Sequence, residues 1–253
     1  MKLLEDKTVL VTASSSEIGS AMVRALVRHG AKVGLHYRTH RDTAENLARE
    51  MTELGGRVST AHAELTDADS VQGMIAGITA ELGPMDALVN NASVYRNPAP
   101  AALVPWEDFQ AEFEGSLKTS VACAQAVLPG MMERRSGIIL NIVGTMVQRP
   151  ASGHSAHIAG KGALLAWSRA LAKELGPQGI RVHCISPGMT LTDNTLRTTT
   201  QDQRTTVNDK TPMRKLPLPA HIANLTVFLL SDLASAETGY HLNADGGLAE
   251  LGG

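Results

Sequence analysis

The stretch TVLVTASSSEIGSAMVRALVRHGAKVGLHY, Thr8 to Tyr37, changes its hydrophobic period twice. TVLVTA is a short β-branched run of the kind a fully buried strand shows. From residue 18 to residue 29 the pattern turns helical and closes on HGA, where glycine suits a left-handed C-cap. AKVGLHY then returns to a buried strand. Strand, small-residue turn, helix and strand together predict a parallel unit with a right-handed crossover.

The alternation continues along the chain. RVSTAHA at 57–63, DALVNNA at 86–92, GIILNIV at 137–143 and IRVHCIS at 180–186 read as further strands, and helical patterns at 42–54 and 67–82 end in LGG and LGP. The expected fold class is α/β: a doubly wound parallel sheet, Rossmann-type, with three layers α/β/α. With 253 residues and no repeat or low-complexity linker, one domain spanning 1–253 is expected. The polar, Thr-rich stretch from Ser186 to Pro217 is long for a connection, and residues 188–215 are expected to form a substrate lid.

Composition narrows the partners. The chain is 43% apolar and 19% charged, which is ordinary for a folded globular protein. Lys and Arg number 23 against 25 Asp and Glu, so no positive excess exists for nucleic acid or an anionic membrane. MKLLEDKTVLVTAS lacks the continuous apolar core of a signal peptide, and no run is long enough to span a bilayer. Cys123 and Cys184 are far apart and lack metal-ligand spacing, so no metal site is expected and the reducing cytoplasm is the expected location.

Doubly wound sheets bind ligands beyond the carboxyl ends of their strands, here residues 13–19, 36–41, 62–65, 90–95, 143–148 and 186–192. In the first of these, TASSSEIGSAMVRAL opens a helix after a small-residue turn, where N–H groups and the helix dipole attract a pyrophosphate. It resembles the TGxxxGxG turn of the short-chain dehydrogenase/reductase family. DALVNNAS resembles the family's NNAG, GPQGIRVHCISPGMTLT its GIRVNxxxPGxxxT, and TGYHLNADGG its TGxxxxVDGG. The motifs stand in the family's order and cover nearly the whole chain.

The resemblance implies a nicotinamide dinucleotide held by Ala13, Ser15, Glu17, Ile18 and Gly19, by Arg38 and Thr39, by Glu64 and Leu65, by Asn91 and Ala92, by Lys161, and by Pro187, Gly188 and Thr190. Arg38, with no acidic residue beside it in the sequence, favours the 2′-phosphate of NADP(H). Ala13 and Glu17 replace glycines. Alanine costs a methyl group provided the turn needs no positive φ, and a carboxylate repels a pyrophosphate unless it turns away. Cofactor binding is therefore expected to be weakened or lost.

HIAGK, 157–161, lies where the family has YxxxK. The resemblance makes His157, Lys161, Ser116 and Gly144 the catalytic positions: Lys161 is kept, His157 replaces Tyr, Gly144 falls at the Ser position and Ser116 at the Asn position. Spacing of i and i+4 sets His157 and Lys161 on one helix face. The expected function is an atypical NADP(H)-dependent oxidoreductase acting on a small-molecule C=O, C=N or C=C. Two alternatives stand beside it: a non-redox isomerase, cyclase or dehydratase using His157 as acid or base, and a catalytically silent subunit or dinucleotide-sensing module. The long apolar helical patterns at 105–132 and 154–175 predict a homotetramer or homodimer.

Overall fold

Seven parallel strands form one sheet in the order β3-β2-β1-β4-β5-β6-β7 in a computed structural model that describes residues 2–252. Met1 and Gly253, the ends of the expected domain, lie outside the described residues. The strands are β1 (Thr8–Val11), β2 (Lys32–Tyr37), β3 (Val58–His62), β4 (Ala87–Asn90), β5 (Gly137–Ile142), β6 (Ile180–Pro187) and β7 (His241–Ala244). The order runs outward from β1 to β3, then reverses and runs from β4 to β7. This switch point opens a crevice beyond the carboxyl ends of β1 and β4.

Alternate residues of each strand serve opposite layers. Val9 and Val11 pack with Met22, Val23 and Leu26 of α1 (Glu17–Arg28), with α2 (Arg41–Glu53) and with α9 (Pro219–Leu230). Leu10 faces the other way, toward Ile75 and Ile78 of α3 (Ala68–Leu82), α5 (Thr119–Arg134) and α6 (Ser155–Leu175). Strands buried on both faces explain the unbroken β-branched runs, and the three-layer expectation holds.

Two features depart from the sequence reading. β7 is a seventh strand at the sheet edge, paired only with β6, and HLNA carries no apolar run to announce it. The predicted helix at 105–132 is divided into α4 (Trp106–Glu112), a π-helical turn (Phe113–Lys118) and α5. Gly115 lets the Val94 side chain press against this turn. The Ser116 carbonyl accepts the Ser120 hydroxyl at 2.7 Å, which keeps the wider turn satisfied. Between β6 and α9 lie two short helices, α7 (Asp193–Thr198) and α8 (Gln201–Lys210); α10 (Leu248–Leu251) closes the chain.

Candidate functional site

The turn after β1 folds back over the start of α1. Ser16 caps the helix, its Oγ accepting the Gly19 N–H at 3.0 Å. A Cβ on Gly19 would collide with the Ala13 carbonyl oxygen and stand 2.9 Å from Ser14 Cα, so only glycine lets the turn close this tightly. Ala13 sits at φ 49°, in the left-handed region. The condition under which alanine is harmless is not met, and the turn carries a strain of about 1 kcal/mol.

Glu17 does not face the turn's donors. Its carboxylate accepts the N–H groups of Asp193 at 2.8 Å and Asn194 at 3.3 Å, at the start of α7. The expected repulsion is thereby relieved, and the turn is tied to the segment 188–215. Ser15 is half-buried in the turn, and Ile18 packs on the core beneath it.

Asn91 and Ala92 brace this turn from β4. The Asn91 side chain donates to the Thr12 carbonyl at 3.0 Å and to the Ala13 carbonyl at 3.2 Å, and both backbone N–H groups reach Thr12 Oγ1 at 2.9 Å. A further brace comes from His36, which the sequence reading did not single out. Its Nδ1 accepts the Ala13 N–H at 2.9 Å, so its Nε2 is the nitrogen that donates to the Ala63 carbonyl at 3.1 Å. Burial, opposed by the Ala63 bond, pushes this imidazole down to about 4.

Arg38 and Thr39 are exposed just past β2. The sequence puts no acidic residue beside Arg38, but the fold does: Glu64 Oε2 lies 3.8 Å from its guanidinium. Burial pushes the Glu64 carboxyl up, yet hydrogen bonds from the Thr66 side chain and N–H, with Arg38, hold it below its ordinary value. Leu65 is buried in the core, so it offers a ligand only its backbone. Beyond β6, a Cβ on Gly188 would stand 2.7 Å from Asp245 Cβ, Thr190 Oγ1 donates to the Gly188 carbonyl at 3.1 Å, and the Pro187 carbonyl faces Thr145 Oγ1 at 3.4 Å.

α6 carries His157 and Lys161 past the end of β5. Lys161 is 4% exposed and donates to the Ile142 carbonyl at 2.9 Å. Burial, opposed by the nearby Glu112 charge, lowers its ammonium to about 8. One turn earlier, His157 Nδ1 lies 3.1 Å from Oε2 of Glu112, a fully buried carboxylate at the end of α4. The other Glu112 oxygen accepts the Arg96 N–H at 3.0 Å. Glu112 escaped the sequence reading. A signal was present in Gly160 of HIAGK: a Cβ there would meet the Glu112 carbonyl oxygen at 2.9 Å, so the glycine marks where α4 and α6 touch.

The ring of Tyr95 stands edge-on to His157, with centroids 5.2 Å apart, and its hydroxyl bonds His154 Nε2 at 2.8 Å. Ser116 Oγ is buried and has no hydrogen-bond partner among the described residues. Gly144 adopts φ 155°, which side-chain-bearing residues rarely do, although a Cβ there would have nothing within 4 Å. The backbone as well as the side chain therefore differs from what a serine needs. His183 is fully buried against Arg181. No group of three or more His, Cys, Asp or Glu among the described residues is placed to hold a metal.

A glycine-closed turn, helix-start donors, an Arg beyond β2 and a buried Lys at the end of β5 fit a nicotinamide dinucleotide laid across the switch point. The comparisons agree with this class. Residues 12–249 match the family model described as enoyl-(acyl carrier protein) reductase. The chain is 34% identical over 250 residues to the 3-oxoacyl-(acyl-carrier-protein) reductase FabG of Escherichia coli, covering 96% of this chain and 98% of that one. It is 31% identical over 247 residues to nodulation protein G of Azospirillum brasilense, covering 97% and 99%.

Among solved structures, a 7α-hydroxysteroid dehydrogenase in complex with NADH and 7-oxo glycochenodeoxycholic acid superposes with a TM-score of 0.92 at 29% identity, covering 98% of this chain and 96% of that one. A variant short-chain dehydrogenase/reductase of Serratia marcescens gives 0.90 at 26%, covering 98% and 99%. The chain belongs to the short-chain dehydrogenase/reductase family of oxidoreductases. No helix among the described residues is long and apolar enough to cross a membrane.

Proposed function

We propose that this protein is an atypical NADP(H)-dependent oxidoreductase acting on a small-molecule C=O, C=N or C=C, in which His157 carries the proton. The observation supporting it most is the pairing of a buried Lys161 with His157 one turn away, at the sheet end where the family places its nicotinamide. When bound, the dinucleotide supplies or accepts a hydride at the substrate carbon. The turn at Ala13, Ser15, Ile18 and Gly19 holds its pyrophosphate, Arg38 and Thr39 the 2′-phosphate, Glu64 and Leu65 the adenine side, and Asn91, Ala92, Pro187, Gly188 and Thr190 line the remaining cleft. Lys161 would meet the nicotinamide ribose, and Ser116 would offer its buried hydroxyl to an internal water.

His157 gives a proton to the substrate heteroatom in reduction and takes one in oxidation. Residues 188–215 close over the substrate as a lid of the single domain. Affinity for the cofactor is lowered by the strained Ala13 and by Glu64, which competes for Arg38. The protein works in the cytoplasm as a homotetramer or homodimer, without nucleic acid or membrane.

Calorimetric titration with NADPH and NADP⁺ tests this reading. Binding with turnover supports it. Binding without turnover favours a silent subunit, and no binding favours non-redox acid–base chemistry at His157, a reading helped by the strain at Ala13. Arg38→Ala is expected to weaken NADPH far more than NADH; equal losses would remove the 2′-phosphate assignment.

A further inference from the structure

We infer that Glu112 is the positioning residue of His157: it fixes which ring nitrogen carries the exchangeable proton. The inference rests on His157 being the proton carrier. Both Glu112 oxygens receive hydrogen bonds, one from the Arg96 N–H at 3.0 Å and the other at the His157 ring, 3.1 Å away. A carboxylate only accepts, so His157 Nδ1 must hold a hydrogen and donate it. Nε2 is left to exchange a proton with the substrate. It makes no hydrogen bond among the described residues.

The arrangement is built rather than incidental. A carboxylate with no exposed surface is costly unless paired, so α4 holds Glu112 in place only because partners meet it there. Gly160 removes the side chain that would keep α6 from the Glu112 backbone. The π-helical turn begins at the next residue and sets the direction in which α4 leaves. On the other side, the Tyr95 ring limits rotation of the imidazole, and Tyr95 is itself held by His154. The ring is held at one nitrogen and by a neighbouring aromatic ring.

The proton step then balances without a second acid. In reduction, the Nε2–H bond breaks as the proton passes to the substrate oxygen or nitrogen, and the neutral ring keeps its Nδ1–H on Glu112. In oxidation, Nε2 takes the hydroxyl or amine proton, and the imidazolium formed lies against a negative charge.

Long-range proton–nitrogen NMR of the ¹⁵N-labelled full chain at pH 8 tests the inference without any cofactor, with His157 assigned from its loss in His157→Phe. The expected wild-type spectrum shows a protonated Nδ1 and a bare Nε2, or both nitrogens protonated. In Glu112→Ala the ring is expected to revert to a bare Nδ1 with the proton on Nε2. A wild-type ring with a bare Nδ1, or a pattern unchanged in Glu112→Ala, would overturn it. Should that variant not fold, the wild-type nitrogen pattern alone decides. Once a substrate is in hand, Glu112→Ala is expected to lower kcat by at least tenfold at unchanged KM, with partial recovery in Glu112→Asp. Failure of NADPH to bind while Nδ1 is protonated would sink the oxidoreductase reading and leave the pair standing.

Discussion

His36 and His157 both stand at the carboxyl side of the sheet, and their surroundings use imidazole in opposite ways. His36, the next-to-last residue of β2, has both nitrogens engaged by backbone: Nδ1 receives the Ala13 N–H, and Nε2 donates to the Ala63 carbonyl. It joins the turns after β1 and β3 through a side chain 2% exposed. His157 spends one nitrogen on a buried side-chain carboxylate and keeps the other. A ring whose two nitrogens are consumed by main chain is a strut. A ring with one nitrogen in reserve has chemistry left to do.

The largest expected effect breaks the second half of that comparison. His157→Phe is expected to lower turnover by roughly 10²- to 10⁴-fold, the usual share of one proton-transfer group, while the fold is kept at a lower thermal midpoint because buried Glu112 loses a partner. Steady-state kinetics with calorimetry on the same preparation checks both. Turnover that survives intact would move the proton to solvent or to the lid.

The reverse pattern is expected at His36. Replacing it by Phe strands the Ala13 N–H and the Ala63 carbonyl, at a cost of about 1–3 kcal/mol, and weakens dinucleotide binding by loosening the turn. Its ionisation gives a sharper form of the test. The folded ring titrates at about 4, and an unfolded one near 6.5. Between those values the unfolded chain holds a proton that the folded chain refuses, so stability falls as pH drops from 6.5 through 4, by about 3 kcal/mol from this group. His183, lowered to about 4 by burial and then by Arg181, adds a similar slope. His36→Phe should therefore reduce the acid sensitivity without abolishing it, as followed by denaturant midpoints across that window. An unchanged slope would show that His36 is not the strut described.

The smallest effect concerns the turn that His36 supports. Ala13→Gly is expected to stabilise the protein by about 1 kcal/mol less the entropy glycine loses on folding, and to tighten NADPH binding severalfold. A loss of stability would mean that the left-handed conformation is not strained in solution.

The alternation of strand and helix was legible because buried parallel strands need unbroken apolar runs and the first three helical patterns closed on HGA, LGG and LGP. β7 was not, since an edge strand of His, Leu, Asn and Ala lacks that signature. At the site, His157 and Lys161 announced themselves by helical spacing within one motif. Glu112 could not, because 45 residues separate it from His157 and only the crossing of α4 over Gly160 brings them together. The same limit hid Glu64 from Arg38 and His36 from Ala63: each partnership joins different strand ends. The positive φ at Ala13 also has no sequence signature, since alanine there reads as a conservative replacement.

The carboxylate of Glu17 spans 176 positions of the chain to hold the first N–H groups of α7. Two segments joined in this way are linked: whatever makes or breaks the Glu17 contact acts on the turn and on 188–215 together, and the coupling between them is reciprocal. A substitution in 188–215 that never approaches the dinucleotide will thus register in cofactor affinity. A ligand seated at the turn is expected to act on 188–215 through the same contact. In this chain, where the family's glycine has become a carboxylate, a single side chain joins the turn after β1 to the start of α7.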